Sequence, residues 1–321
     1  MRAYRVADFN VGPALTKVDN PNPMHGQVVL HITACGLNFA DLLMAKGQYQ
    51  DTPPLPFTLG MEVCGTVIGH GPGVSAPPLG TRVAVFGGQG GLAEIGCFPA
   101  ALCRPVPEDM PDEVAAGFMV AYGTSHLALE RRARLKPGET LLVLGAAGGV
   151  GLTAVEIGKA MGARVIAVAR GADKLAAAQA AGADHLIDST SADIKAEVKA
   201  LGGADVVYDP VGGDAFKAAL GACNREARVL VIGFASGDVP QIPANILLVK
   251  NITVMGFYWG GYLTFQPEAL TDSLDTLMTW YSQGRLKPHI SHVFPLDRAG
   301  EALELLRSRK STGKVVVTPQ S

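Results

Sequence analysis

The chemistry most legible in this chain lies at residues 141–151, Leu-Leu-Val-Leu-Gly-Ala-Ala-Gly-Gly-Val-Gly, where an apolar run stops abruptly in glycines. Gly145, Gly148, Gly149 and Gly151, with Ala147 and Val150 between them, let a backbone come close to a pyrophosphate. A helix starting there offers free N–H groups and a partial positive charge. The spacing is Gly145-x-x-Gly148-x-x-Gly151 with Gly149 extra, not the standard G-x-G-x-x-G. Alone it is weak, because any tight strand-to-helix turn looks similar. Its context strengthens it. A helical pattern follows, anchored by Leu152, Val155 and Ile157, and a second apolar run at 164–169 arrives at the distance a βαβ unit requires.

A carboxylate about 20 residues beyond the last glycine would bond a ribose 2′-hydroxyl. Here Arg170 stands 19 residues after Gly151, Lys174 follows one helical turn later, and no carboxylate lies between Ile166 and Ala172. A guanidinium and an ammonium suit a 2′-phosphate, so the dinucleotide expected is NADPH. The bland alternative, two solvated surface cations, weighs less at this place after this turn.

The elements that position these groups follow from the pattern. Strands are expected near 140–144, 164–169, 185–187, 205–208, 228–232 and 252–255, with helices near 149–161, 172–181, 191–201, 212–222 and 268–283. Alternation of this kind implies an α/β fold with a doubly wound parallel sheet of the Rossmann type. Residues 1 to about 113 differ. Short β-branched runs at 27–33, 63–68 and 82–86 are punctuated by Asn20-Pro21-Asn22-Pro23 and Thr52-Pro53-Pro54, giving an irregular mainly-β region. The tail returns to that character at Lys314-Val315-Val316-Val317, which is expected to rejoin the first region. The domains expected are therefore 1–113 with 257–321, discontinuous, and 114–256.

Composition sets bounds. In 321 residues, 48% are hydrophobic and 17% charged, enough apolar material for packed domains. The net charge of −2 offers no general pull toward nucleic acid or an anionic membrane. The N-terminus has Arg2, Arg5 and Asp8 with no apolar core behind them, so no signal peptide is expected. The uncharged stretch 140–155 is too short and glycine-rich to span a bilayer. Five cysteines, odd in number and without Cys-x-x-Cys, suit reduced thiols in a cytoplasmic protein.

Several motifs together resemble one family. They are Asn38-Phe39-Ala40-Asp41 followed by Gly47-Gln48-Tyr49, Leu59-Gly60-Met61-Glu62, the glycine turn itself, Asp209-Pro-Val-Gly-Gly213, and Thr312-Gly313-Lys314-Val315. The chain resembles, over nearly its whole length, the zinc-independent quinone oxidoreductase (zeta-crystallin-like) branch of the medium-chain dehydrogenase/reductase superfamily. The resemblance implies a GroES-like, mainly-β catalytic domain with a Rossmann domain, and an active site in the cleft between them. It also argues against a metal. Zinc-dependent relatives carry Cys-Gly-x-Cys and Gly-His-Glu at the catalytic metal. This chain has Cys35-Gly36-Leu37-Asn38 and Gly60-Met61-Glu62, and Asn and Met are poor zinc ligands. No metal is expected.

The same resemblance implies roles for single residues. It sets Asn38 and Lys314 on the cofactor side, along with Gly233, Phe234 and Ala235 after the fifth strand. Tyr49 matches a tyrosine that either protonates an enoyl substrate or positions a quinone; an aromatic packed in a loop is the bland alternative. Asn38 and Asp41 equally suit turn positions. Phe257, Tyr258 and Trp259 follow the sixth strand. All three are either core or the apolar wall of a flat pocket, with Phe257 also beside the cofactor. His126, on a helix, is expected in the core rather than as a base. Val120 stands where the family often has a cofactor-contacting Thr, and Ser189 where it often has a Tyr as a third 2′-phosphate contact; a hydroxyl remains, but Asp188 opposes a phosphate if it turns inward, which weakens the NADPH preference.

Hydride delivery to an already electrophilic acceptor needs little Lewis-acid help. The activity expected is therefore NADPH-dependent reduction of quinones or related enones, small molecules. An enoyl-thioester or alkenal/one reductase is the alternative on this scaffold. From another class comes a cofactor-binding structural or RNA-binding, crystallin-like protein, against which the absence of a basic stripe counts. The apolar run 252–257 reads as an edge strand, and the family joins such edges, so a homodimer is expected.

Overall fold

The computed structural model describes residues 1–320 of the chain. They form two compact units. One comprises residues 1–120 and 288–320, the other Ala121–Lys287.

The second unit is built on six parallel strands. Their spatial order is His185–Asp188, Arg164–Ala169, Thr140–Leu144, Ala204–Asp209, Cys223–Val231, Thr253–Gly256. Counted along the chain this is 3-2-1-4-5-6, the doubly wound order that reverses beside the first strand. The sequence pattern explains the layering. Thr140–Leu144 is buried at every position, as a central parallel strand covered on both faces must be. Leu142, Leu144, Ile166, Val207, Val229 and Phe216 form part of one core. Helix Gly149–Ala160 buries Leu152, Val155 and Ile157, the three anchors expected. The fifth strand starts at Cys223, earlier than the apolar run at 228 suggests. Its first half carries Arg225 and Glu226, with Glu226 at φ +62, and the pairing shifts register there. Helix Ile194–Ala200 starts later than expected, because Asp193 caps it by accepting the Ala196 N–H at 3.0 Å.

The first unit is mainly β. A three-stranded sheet holds Arg2–Val6 between Pro13–Lys17 and Phe57–Thr58. A larger sheet centres on Gln27–Gly36 and Glu62–His70. The C-terminal strand Lys314–Thr318 joins it, pairing Val317 with Cys35 and Val316 with Gly36. This places the tail with the N-terminal region. The boundary near 256 does not coincide with a compact unit. Helix Pro267–Ser282 buries Leu270, Leu274 and Leu277 within the second unit, and its Ser273 bonds His126. Its amphipathic pattern is satisfied there rather than in the first unit.

No helix among the described residues is long and apolar enough to cross a membrane.

Candidate functional site

The glycine turn is formed as its sequence requires. Gly145 sits at φ +60, where a side chain is strained, and a Cβ there would lie 2.8 Å from Val211 Cγ2. A Cβ on Gly151 would meet the Gly145 carbonyl oxygen at 2.1 Å, so helix and turn approach only because both residues are glycine. Gly148 is the N-cap, and the first closing bond runs from the Leu152 N–H to the Gly148 carbonyl at 2.8 Å. The amides of Gly149, Val150 and Gly151 precede that bond, so the helix does not use them. Ala147 is buried beneath the turn.

Two further loops meet this turn at the carboxyl ends of the strands. Asp209 is fully buried. Its carboxylate accepts the Val211 N–H at 2.7 Å and the Gly212 N–H at 2.9 Å, and burial raises its pKa against those donors. The loop it shapes puts Val211 against Gly145 and Gly212 against the Phe234 ring. Ala235 donates to the Pro210 carbonyl at 3.0 Å, and Gly233 to that of Asp209 at 3.4 Å. Gly233, Phe234 and Ala235 are thus held beside the glycine turn.

Arg170 is exposed and Lys174 half-buried, on either side of the start of helix Ala172–Ala180. Ser189 packs close by, its N–H bonded to the Ala169 carbonyl at 2.9 Å. Asp188 turns toward this loop. Its Oδ1 accepts the Thr190 N–H at 2.9 Å, the Thr190 hydroxyl at 2.8 Å and the Gly171 N–H at 3.1 Å. Those bonds from Thr190 and Gly171 hold its carboxyl below the usual range. A negative charge is therefore fixed at the Gly171 N–H, one residue after Arg170 in sequence.

One network escaped the sequence. The Ser125 hydroxyl lies 2.9 Å from the Val150 carbonyl, 2.8 Å from Thr153 Oγ1 and 3.0 Å from the buried Tyr208 hydroxyl. It ties the glycine-turn helix to the adjacent strand. Asp209 was visible only as a motif member, and Ser125 carried no signal at all. Phe257 and Trp259 are both buried. Phe257 lies against Tyr262 and Trp259 against Gly123. His126 is buried too, its Nδ1 2.8 Å from the Ser273 hydroxyl, and burial lowers its pKa to about 4.

In the first unit the motif residues converge on a buried ion pair. Lys314 Nζ donates to Glu62 Oε1 at 2.7 Å, Asn38 Oδ1 at 2.8 Å and the Leu37 carbonyl at 2.7 Å. Asn38 Nδ2 donates to the same Glu62 oxygen at 2.9 Å, and the Val120 N–H reaches the other at 2.9 Å. Asp41 accepts the Asn38 N–H at 2.8 Å and the Gly60 N–H at 3.1 Å, and burial pushes its pKa up to about 6. Glu62, like Asp209, was visible only within its motif. Tyr49 is half-buried on the loop after helix Phe39–Met44, its backbone carbonyl accepting the Thr52 hydroxyl at 2.6 Å.

Comparison with known proteins agrees with this geometry. Residues 149–276 match the zinc-binding dehydrogenase family, and residues 24–108 match the alcohol dehydrogenase GroES-like domain. The chain is 41% identical to the quinone oxidoreductase-like protein 2 homolog of Nematostella vectensis, over 98% of this chain and 89% of that one. The quinone oxidoreductase of Thermus thermophilus, solved also in its complex with NADPH, shares 36% identity and a TM-score of 0.88, covering 99% of this chain and 100% of its own. The Escherichia coli quinone oxidoreductase complexed with NADPH gives 28% and 0.92 at the same coverage. The GroES-like match, the 3-2-1-4-5-6 sheet and these relatives place the chain in the quinone oxidoreductase-like branch of the medium-chain dehydrogenase/reductase superfamily.

Proposed function

We propose that this protein is an NADPH-dependent reductase of quinones and related conjugated carbonyls, working without zinc, as a homodimer in the cytoplasm. The observation that carries the cofactor half is the pair Arg170 and Lys174 beyond a glycine turn with no room for a Cβ at Gly145 or Gly151.

The second unit's residues suit NADPH. The unused amides at 149–151 receive the pyrophosphate, Arg170, Lys174 and Ser189 take the 2′-phosphate, and the loop 233–235 runs along the dinucleotide. When bound, NADPH supplies the hydride from its nicotinamide. The role of this chain's side chains is then to bind, orient and exclude water. In the first unit, Tyr49 positions the acceptor. A reduced quinone leaves as a stabilised anion that water protonates, so no protein acid is required.

Zinc does not suit the residues present. The Lys314 ammonium already lies on Asn38 Oδ1 and Glu62 Oε1, and Met61, next to Glu62 in sequence, has only a thioether to offer. A second cation there would meet like charge and no thiolate–imidazole set.

The test is a panel of NADPH-oxidation assays over quinones, enals and enoyl thioesters, run on the wild type and Tyr49→Phe. Quinone turnover exceeding the others is expected, with kcat of Tyr49→Phe on the best quinone falling less than about tenfold and the change mainly in KM. Enoyl thioesters as the best substrates, with a hundredfold or larger loss of kcat on removing the hydroxyl (about 10²–10⁴ for a placed proton donor), would replace this reading with the enoyl reductase one.

A further inference from the structure

A cavity of about 720 Å³ in the second unit plays no part in the site above. Its walls include Arg131, Arg132, Arg134 and Lys136, together with Tyr262 and Phe265. It also reaches Met161, which ends the helix that begins at the glycine turn. That helix has 12 residues, so at 1.5 Å per residue the cavity reaches the far end of it, about 18 Å away.

Its charge is out of keeping with the rest of the chain. The protein is net −2, yet the wall carries four cations against one carboxylate, Glu130. Three exposed cations elsewhere have carboxylate partners one turn away, Arg298–Glu301, Arg307–Glu304 and Lys217–Asp214. Among the described residues, none of the four cavity cations pairs with a carboxylate. Like charges gathered without counter-charge repel one another, so their common ligand is an anion.

The backbone is shaped to gather them. Residues Ala128–Arg132 form a wide π turn, closed by the Ala133 N–H on the Ala128 carbonyl at 2.9 Å. Arg134 then sits at φ +50, unusual for a residue with a side chain. Both features cost stability and cluster at functional sites. Two guanidinium groups are tethered to the segment that carries the aromatic wall. Arg131 Nη2 donates to Gln266 Oε1 at 2.7 Å, and Arg132 Nη2 to the Gly256 carbonyl at 3.3 Å. Each keeps most of its donors free.

The aromatic part of the lining selects for a ring. Phe265 is 66% exposed although it packs against Tyr262 with ring centroids 4.5 Å apart. Its open side is an unfilled flat apolar surface next to the cations. Stacking on such a face is worth binding energy to any nucleobase. The volume falls inside the range of about 300–1,000 Å³ usual for small-molecule sites.

We propose that this cavity binds a nucleoside di- or triphosphate, its phosphates on the arginines and its base on Phe265, independently of the cofactor site. Binding of ATP, inorganic tripolyphosphate and adenosine to the full chain is measured by equilibrium dialysis. The variants are Arg131→Ala/Arg134→Ala, Lys136→Glu, Phe265→Ala and, for the cofactor turn, Arg170→Ala/Lys174→Ala. All the cavity positions changed are exposed, so unfolding transitions should match the wild type. ATP affinity should fall about tenfold or more in the double arginine variant, fall in Lys136→Glu and Phe265→Ala, and hold when Arg170 and Lys174 are removed. Adenosine should bind far more weakly than ATP. Three results would each overturn the proposal: no ATP binding, ATP binding lost only with Arg170 and Lys174, or tripolyphosphate binding as tightly as ATP. The last would leave the aromatic wall without a role.

Discussion

The Lys314 ammonium lies 2.7 Å from Glu62 Oε1, with 7% and 0% of the two side chains exposed. These residues are 252 positions apart in sequence, and their ion pair ties the C-terminal strand to the strand that begins at Glu62. Removing one partner of a buried pair leaves an uncompensated charge and costs about 3–5 kcal/mol. Lys314→Met is therefore expected to lower the unfolding temperature markedly, and adding Glu62→Gln to recover part of the loss. A Lys314→Met protein as stable as the wild type would show that the pair contributes nothing. The same geometry predicts no stoichiometric zinc by elemental analysis of the wild type, and activity unchanged by chelators.

Arg170 and Lys174 should set cofactor choice. A hydrogen bond to a charged group contributes about 1.5–3 kcal/mol. Calorimetry should therefore show NADPH bound about tenfold or more tightly than NADH, with the double Ala variant losing NADPH affinity and keeping that for NADH. Asp188 works against this, because its carboxylate is fixed at Gly171, next to Arg170. Asp188→Asn keeps the shape and should widen the NADPH preference. Equal affinities for the two cofactors in the wild type would defeat the assignment.

His126 should leave a signature in acid. Burial lowers its pKa to about 4, while the unfolded chain takes up that proton near 6.5. Between those values the unfolded state binds more protons. Stability from this group is thus complete above about pH 6.5 and is lost as pH falls toward 4, by up to about 1.4 kcal/mol per pH unit. Asp41 has the opposite sign. Its raised pKa of about 6 gives stability that is present at low pH and lost as pH rises through 6. The quantity to measure is therefore the difference between wild type and His126→Gln in unfolding temperature from pH 7.5 to 5. The wild type should lose more on acidification. Parallel curves would mean that His126 is not buried as described.

Assembly should run through the sheet edge. Thr253–Gly256 has a neighbour on one side only in its sheet, and the preceding helix Ala244–Lys250 exposes Leu248 and Val249 by 78% and 71%. An open edge flanked by apolar side chains favours pairing with a second copy. Light scattering at micromolar concentration should give about twice the chain mass of 33.4 kDa, and Leu248→Glu/Val249→Glu should return the monomer. A wild-type monomer would end this proposal.

The local code of this chain was enough for the parallel sheet and its glycine turn. Strand Thr140–Leu144 ends in an unbroken apolar run over 141–144, the turn has no room for a Cβ at Gly145 and Gly151, and the anchors Leu152, Val155 and Ile157 follow within the next helix. Each is a short-range constraint, so each can be read along the chain. The C-terminal strand was legible for the same reason, through its run of valines. What depended on tertiary structure was the use of polar groups. Lys314, marked by its motif for the cofactor side, is enclosed by Asn38, Glu62 and the Leu37 carbonyl. Asp188 turns onto Gly171, and Ser125 reaches Val150, Thr153 and Tyr208. Helix Pro267–Ser282 shows an apolar face in sequence, but only packing decides which unit that face joins. A buried polar side chain takes whichever partner the fold brings within hydrogen-bond reach. That partner is often more than a hundred residues away, and nothing in the local pattern records it.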